Sequence, residues 1–151
     1  MNKSTRLKVG LLMLAAATSA LAAEHGWQYF TNPPTGTAAA PPFSEALLAG
    51  RTLYIAGHLG TDPSTRRVPA DPAREAHLVL DAIQHELGQA GLSMDDLVSV
   101  TIFCTDLSLY GTFNNVYRGY FHAHYPTRAF IGVSSLLNGA HFEVEGIALK
   151  R

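Results

Sequence analysis

The sequence has very little cysteine and no excess of one charge. Cys104 is the only cysteine among 151 residues, so no disulfide can form within the chain. Eleven Lys and Arg residues stand against twelve Asp and Glu residues. No stripe of basic residues is present, which argues against nucleic acid as a partner. Cys104 lies in the strand-like run VSVTIFC, which favours a small buried side chain over a nucleophile.

Long apolar runs are also scarce, and the main one stands near the beginning of the sequence. The run VGLLMLAAATSALA follows Lys3, Arg6 and Lys8 and ends in an A-x-A pattern at Ala20–Ala22. It is short for a membrane span and rich in small residues, which predicts a cleaved signal peptide over residues 1–22. An uncleaved anchor is the alternative. We therefore expect an exported, periplasmic protein that is free of the membrane after cleavage and carries eight basic residues against twelve acidic ones.

The segment after the signal peptide is poor in residues that form a core. Residues 23–40 are rich in Pro, Gly, Thr and Ala, which predicts a flexible arm or linker outside any sheet. The aromatic residues within Trp27–Phe30 could hold this arm on a surface, including that of a periplasmic partner. Cleavage after Ala22 would expose Ala23-Glu24-His25, whose nitrogen atoms suit square-planar Cu(II) or Ni(II). An inert terminus is the alternative reading of these residues.

The compact domain is predicted to span residues 41–151 with the order β-β-α-β-α-β-β. Asp71 and Pro72 form the start signal of a first helix, and Gly91 is a stop signal. A second helix runs through FNNVYRGYF, and two strands flank the loop at Asn138-Gly139. This order predicts an α+β fold in which both helices pack on one face of a mixed sheet.

The other face of the sheet has no further helix to cover it. We expect this face to carry Phe103, Phe130 and aliphatic side chains. A large exposed apolar face of this kind is usually buried by another copy of the same chain. The sequence therefore predicts a homo-oligomer.

Several segments resemble the RidA (YjgF-type) family of reactive intermediate imine deaminases. They are, in order, PPFSEALLAGRTLYIAGHLG, VTIFCTDL, FNNVYRGYF and YPTRAFIGVSSLLNGAHFEVEGIA, and the P-x-R…E-x-E-x-I-A pattern is the most specific. The resemblance implies a chorismate-mutase-like fold and a homotrimer with inward-facing sheets and a cleft between each pair of subunits. It also implies hydrolysis of enamines and 2-imino acids to 2-oxo acids and ammonia, without a metal or an organic cofactor.

The resemblance assigns catalytic roles to Arg128 and Glu143. Arg128 would hold the substrate carboxylate, since a guanidinium matches a carboxylate with two parallel hydrogen bonds. Glu143 would position the attacking water, and Glu145, on the same strand face, is expected to be structural or to face solvent. The residues alone leave another reading open, in which Arg128 and Glu143 form an ordinary ion pair across strands or across an interface.

The resemblance also implies a set of substrate-binding residues, several of which depart from the family pattern. Phe43 replaces a tyrosine, Ala56 a serine, His58 a glutamine, and Phe130 a small residue. These changes remove polar groups or add bulk, which favours altered selectivity or a binding module that holds a small carboxylate without turnover. His58 is either a polar contact of the ligand or a surface histidine. The predicted substrate-binding residues are Phe43, Gly57, His58, Asn114 and Phe130.

Overall fold

The computed structural model describes residues 26–31 and 39–151. The predicted signal peptide, the Ala23-Glu24-His25 hypothesis and much of the predicted arm lie outside these residues. Within the described ranges, no helix is long and apolar enough to cross a bilayer. The same ranges contain no group of three or more His, Cys, Asp or Glu side chains arranged to hold a metal ion.

In the described part of the chain, six strands form one mixed sheet in the order β1-β2-β3-β6-β4-β5. β4 and β5 run parallel, while the other neighbouring pairs in this sheet are antiparallel. β6, the last strand along the chain, lies in the interior of the sheet between β3 and β4. The strands are β1 (Gln28–Phe30), β2 (Ala46–Ala49), β3 (Thr52–Leu59), β4 (Leu97–Cys104), β5 (Thr127–Gly132) and β6 (Phe142–Leu149).

Two helices, α1 (Pro72–Gln89) and α2 (Tyr110–Tyr117), cover one face of the sheet. α1 begins as the sequence predicts, because the Asp71 side chain accepts a hydrogen bond from the Ala73 backbone N–H at 3.0 Å. Gly91 has a φ of +72°, a left-handed conformation that suits the end of a helix. The predicted α+β fold, with both helices on one face of a mixed sheet, is confirmed.

The core lies between the helices and every second residue of the central strands. Cys104 belongs to this core and is fully buried, as predicted. Its Sγ donates a hydrogen bond to the Asp106 carbonyl at 3.1 Å, and burial raises the pKa of the thiol. A buried thiol with a raised pKa is a poor nucleophile. The strand residues of the core include Leu53, Ile55, Val100, Ile102, Phe142, Val144 and Ala148.

The opposite face of the sheet, here called the open face, is lined by side chains that include Tyr54, Thr101, Glu145 and Ile147. No described helix packs on it. Phe130 does not lie on this face, so the prediction that placed it there is wrong. β5 pairs in parallel with β4 so that Phe130 stands beside Ile102, a core residue, and Phe130 therefore points towards the helices.

The predicted exclusion of the arm from the sheet is wrong for residues 28–30. Gln28–Phe30 form the edge strand β1, which pairs with β2. Phe30 is only 7% exposed and packs into the core, whereas Trp27 and Tyr29 stay exposed. The prediction failed because it weighed the Pro- and Gly-rich composition of the whole segment. An aromatic pair with high strand propensity, next to the free edge of β2, overrides that composition locally.

Candidate functional site

Arg128 lies on β5 and extends its side chain towards α2. Its Nη1 donates a hydrogen bond to Asn114 Oδ1 at 2.8 Å, and its Nη2 donates one to the Tyr110 hydroxyl at 3.3 Å. Among the described residues, no carboxylate forms an ion pair with Arg128. Its positive charge is therefore available for an anionic ligand.

Aromatic rings surround the Arg128 guanidinium. Its Cζ lies 4.8 Å from the ring centre of Tyr117, 5.6 Å from that of Tyr110 and 5.7 Å from that of Phe130. Such contacts stabilise a cation and limit the movement of its planar group. A hydrogen bond between Tyr110 and Asn114, together with the nearby positive charge of Arg128, lowers the pKa of Tyr110. The result is a cationic group held in place beside an open cavity.

That cavity has a volume of about 260 Å³. We call its floor, formed by Tyr110, Asn114, Tyr117 and Arg128, the arginine half-site. Phe130 borders it through a ring contact with Tyr110 at 5.0 Å. The lining residues are Tyr110, Asn114, Tyr117, Arg118, Tyr125, Pro126 and Arg128.

Glu143 lies elsewhere, on β6, and lines a second cavity of about 420 Å³. Its carboxylate rests on the backbone of Gly57, where a Cβ atom would overlap Glu143 Oε1. No side chain of the described residues forms an ion pair with Glu143. We call Phe43, Gly57, His58 and Glu143, which all line this cavity, the glutamate half-site.

A β-bulge in β3 shapes the glutamate half-site. Ile55 pairs with Gly146 and His58 pairs with Val144, so three steps on β3 match two steps on β6. The extra residue changes which face each later side chain occupies. It leaves Gly57 against Glu143 and places His58 beside Val144, a core residue.

His58 is consequently not the surface histidine that the sequence left open. Its side chain is 10% exposed, and its Nε2 lies 3.9 Å from Glu45 Oε2. This buried nitrogen has no hydrogen-bond partner among the described residues. Glu86 of α1 also has a buried oxygen without a partner in the described ranges. Burial raises the pKa of Glu86, although the nearby His58 opposes that effect. The glutamate half-site therefore adjoins a small buried cluster of ionisable groups, formed by His58, Glu45 and Glu86.

Within one chain, Arg128 and Glu143 lie on opposite faces of the sheet. Arg128 pairs with Val100 and Glu143 pairs with Phe103 on the shared neighbour β4. Positions three residues apart on a strand point to opposite faces. The sequence-based alternative of a direct pair within one chain is therefore wrong. Within one chain, Arg128 and Glu143 therefore belong to two separate half-sites.

The structure adds residues that sequence reasoning did not assign to a site. Tyr117 follows Asn114 by three positions on α2, a spacing that places two side chains on one helix face. That spacing is the signal that the sequence offers, although a tyrosine at this position also fits the apolar side of the helix. Tyr110 could not be found in this way, because it joins Arg128 only through the fold.

Comparisons with known proteins agree on one family. The family model described as Endoribonuclease L-PSP matches residues 34–150. A bovine protein named 2-iminobutanoate/2-iminopropanoate deaminase is 39% identical over 114 residues, covering 75% of this chain and 83% of the relative. The human protein of the same name is 35% identical over 119 residues, covering 76% of this chain and 87% of that protein.

Solved structures show the same fold. The crystal structure of Escherichia coli TdcF with bound serine matches with a TM-score of 0.74 and 30% identity, covering 82% of this chain and all of that one. The structure of RidA from an Antarctic Psychrobacter matches with a TM-score of 0.72 and 31% identity, covering 81% of this chain and 99% of that one. The resemblance seen in the sequence is confirmed.

Proposed function

This chain belongs to the Endoribonuclease L-PSP family, which includes the YjgF/RidA proteins, and we propose that two of its subunits together form each imine-hydrolysing site. Imine deamination itself follows from the relatives, which are named imine deaminases and match most of the chain at 35–39% identity. The chain is thus an imine deaminase. The roles of individual residues and the assembly are our proposals.

The observation that carries the proposal is the Arg128 guanidinium, which is surrounded by aromatic rings and forms no ion pair with a carboxylate of the described residues. A 2-imino acid has a carboxylate next to the reacting carbon, and a fixed guanidinium binds a carboxylate with defined geometry. The similar E. coli TdcF was crystallised with bound serine, which also carries a carboxylate beside an amine-bearing carbon. In this proposal Arg128 and Asn114 hold the carboxylate end of the substrate.

Glu143 acts on the other end of the substrate. Water adds to the C=N bond, so a C–O bond forms while a proton reaches the nitrogen. The C–N bond then breaks, ammonia leaves, and the carbinolamine becomes the 2-oxo acid. Glu143 would accept a proton from the water and return it to the leaving nitrogen, as a positioned carboxylate can. These steps need no oxidant or reductant.

The opposite placement of Arg128 and Glu143 supports a site between subunits. The open face of the sheet supplies a surface for association, and we propose the homotrimer with inward-facing sheets. A cavity of about 260 Å³ and an excess of acidic residues favour a small molecule over RNA as the substrate, despite the endoribonuclease in the family name.

Mixing two inactive variants tests this arrangement. We expect Arg128→Ala and Glu143→Gln each to release ammonia from freshly generated 2-iminobutanoate no faster than buffer does. Co-assembly in equal amounts should restore about one quarter of the wild-type activity, because one cleft in four then combines an intact arginine with an intact glutamate. A mixture as inactive as its parents would contradict a shared site.

The same assay separates catalysis from binding. If the wild type binds 2-oxobutanoate but does not accelerate ammonia release, the binding-module reading holds and the proposed chemistry is wrong. Phe43 and Ala56 are the relevant positions, since both lack the hydroxyl that the family pattern has. Restoring them as Phe43→Tyr and Ala56→Ser would then be expected to raise turnover.

We also propose that the protein is exported after cleavage of residues 1–22. The support is the sequence pattern of basic residues, an apolar run and an A-x-A site. The mass of the protein purified from the periplasm should correspond to a chain that begins at Ala23. Recovery of a chain that retains these residues from the cytosol would contradict export.

A further inference from the structure

Tyr117 carries a buried hydroxyl for which the described part of the chain supplies no partner. The residue is 4% exposed, and its hydroxyl forms no hydrogen bond with any described residue. Buried hydroxyl groups nearly always have a partner, either in the protein or in a bound molecule. An exception inside a candidate site therefore points to a ligand atom.

The surrounding rings hold Tyr117 in a fixed position. Its ring centre lies 4.7 Å from that of Phe121, 5.8 Å from that of Phe113 and 6.3 Å from that of Tyr125. Such packing restricts side-chain rotation. Tyr117 lines the same cavity as Arg128, whose Cζ stands 4.8 Å from the ring centre.

Each of the other polar side chains of the arginine half-site already forms a hydrogen bond within the protein. Asn114 and Tyr110 both accept hydrogen bonds from Arg128. A ligand carboxylate accepts about four hydrogen bonds, which is more than one guanidinium edge supplies. The Tyr117 hydroxyl is a further donor in this cavity, and it makes no hydrogen bond with the residues that the structure describes.

We propose that Tyr117 is a substrate-binding residue whose hydroxyl donates a hydrogen bond to the carboxylate held by Arg128. This inference rests on the proposed function, because it assumes a carboxylate ligand at the arginine half-site. The hydroxyl keeps its proton at neutral pH, since burial raises the pKa of Tyr117 to about 12. A protonated phenol is the form that can donate.

Tyr117→Phe tests the inference, because it removes one oxygen atom and keeps the ring. We expect the affinity for 2-oxobutanoate, measured by calorimetry, to fall about 10- to 100-fold, as expected for one hydrogen bond to a charged group. KM for 2-iminobutanoate should rise by a similar factor while kcat changes little, since the contact holds substrate and transition state alike. Urea unfolding without ligand should show equal or higher stability, because the lost hydroxyl had no partner.

Tyr125→Phe is the matched control. Tyr125 also lines the cavity but is 59% exposed, so water can satisfy its hydroxyl, and we expect ligand affinity to stay within about twofold. Unchanged affinity in Tyr117→Phe, or reduced stability without ligand, would overturn the inference. Arg128→Ala separates the two proposals. If Arg128→Ala abolishes carboxylate binding while Tyr117→Phe leaves it intact, only the role of Tyr117 is wrong. A wild type that binds no carboxylate overturns both this inference and the proposed function.

Discussion

Two glutamates on α1 offer a direct test of how partners decide the effect of a buried charge. Glu75 and Glu86 both lie in the helix face that packs on the core, and they are 0% and 2% exposed. The Glu75 carboxylate accepts hydrogen bonds from the backbone N–H groups of His141 and Phe142 at 2.7 and 2.8 Å. Its other oxygen lies 2.6 Å from His141 Nδ1. Glu86, in contrast, has a buried oxygen to which no described residue donates a hydrogen bond.

The same substitution should therefore have opposite effects at the two positions. Glu75→Leu leaves two backbone N–H groups without an acceptor at about 1–3 kcal/mol each, so we expect the free energy of unfolding to fall by about 2–6 kcal/mol. Glu86→Leu removes an unsatisfied polar group, so we expect that free energy to rise by about 1–3 kcal/mol. Against a typical total of about 5–15 kcal/mol, both effects are large.

Urea unfolding at about pH 7 and about pH 4 measures both changes. Burial raises the pKa of Glu86 above its ordinary 4.5, so the folded state binds the proton more tightly than the unfolded state does. The loss of folding free energy caused by ionising the buried Glu86 carboxyl is absent below pH 4.5 and grows as the pH rises through its folded-state pKa. The gain in Glu86→Leu should accordingly shrink at about pH 4. Changes of the same sign in both variants at neutral pH would refute the reasoning.

Three further predictions concern other parts of the fold. Gly57→Ala places a methyl group in the position of the Glu143 carboxylate. We therefore expect kcat to fall about 100-fold while the free energy of unfolding in urea changes by less than about 1 kcal/mol. An unchanged kcat would show that the contact with Gly57 does not position the carboxylate. Hydrogen bonds from Ser64 lower the pKa of Asp62 to about 2 from 3.8. The wild type should therefore be more stable than Asp62→Asn by an amount that is complete above about pH 4 and is lost as the pH falls towards 2. A stability difference that does not depend on pH would contradict this. Phe30→Ala should lower the free energy of unfolding by about 3 kcal/mol, and an unchanged urea midpoint would show that β1 contributes no packing.

The sequence predicted the features that depend on neighbouring residues. The start of α1 at Asp71-Pro72 and its stop signal at Gly91 are local, because each works through the backbone of the adjacent turn. The RidA resemblance named Arg128 and Glu143, and the structure finds both without an ion-pair partner among the described residues. Their proposed roles remain predictions.

Features that depend on distant residues were missed. Alternation along β5 could show that Arg128 and Phe130 share a face, but only the parallel register with β4 decides which face that is. The bulge before His58 adds a residue that no local pattern marked, so the position of that imidazole in the interior was not predictable. The glutamates of α1 were missed for a related reason, since their burial depends on what packs against the helix.

The interior position of β6 has a consequence for how the chain matures. The strands made first, β1 to β3, form one antiparallel group, and β4 and β5 form another pair. β6 joins the two groups by pairing with β3 on one side and β4 on the other. During synthesis the sheet therefore stays in two separate parts until residues 142–149 have left the ribosome. A stop codon that removes this segment divides the sheet through its interior, so shortened products should be recognised by proteases as unfolded chains.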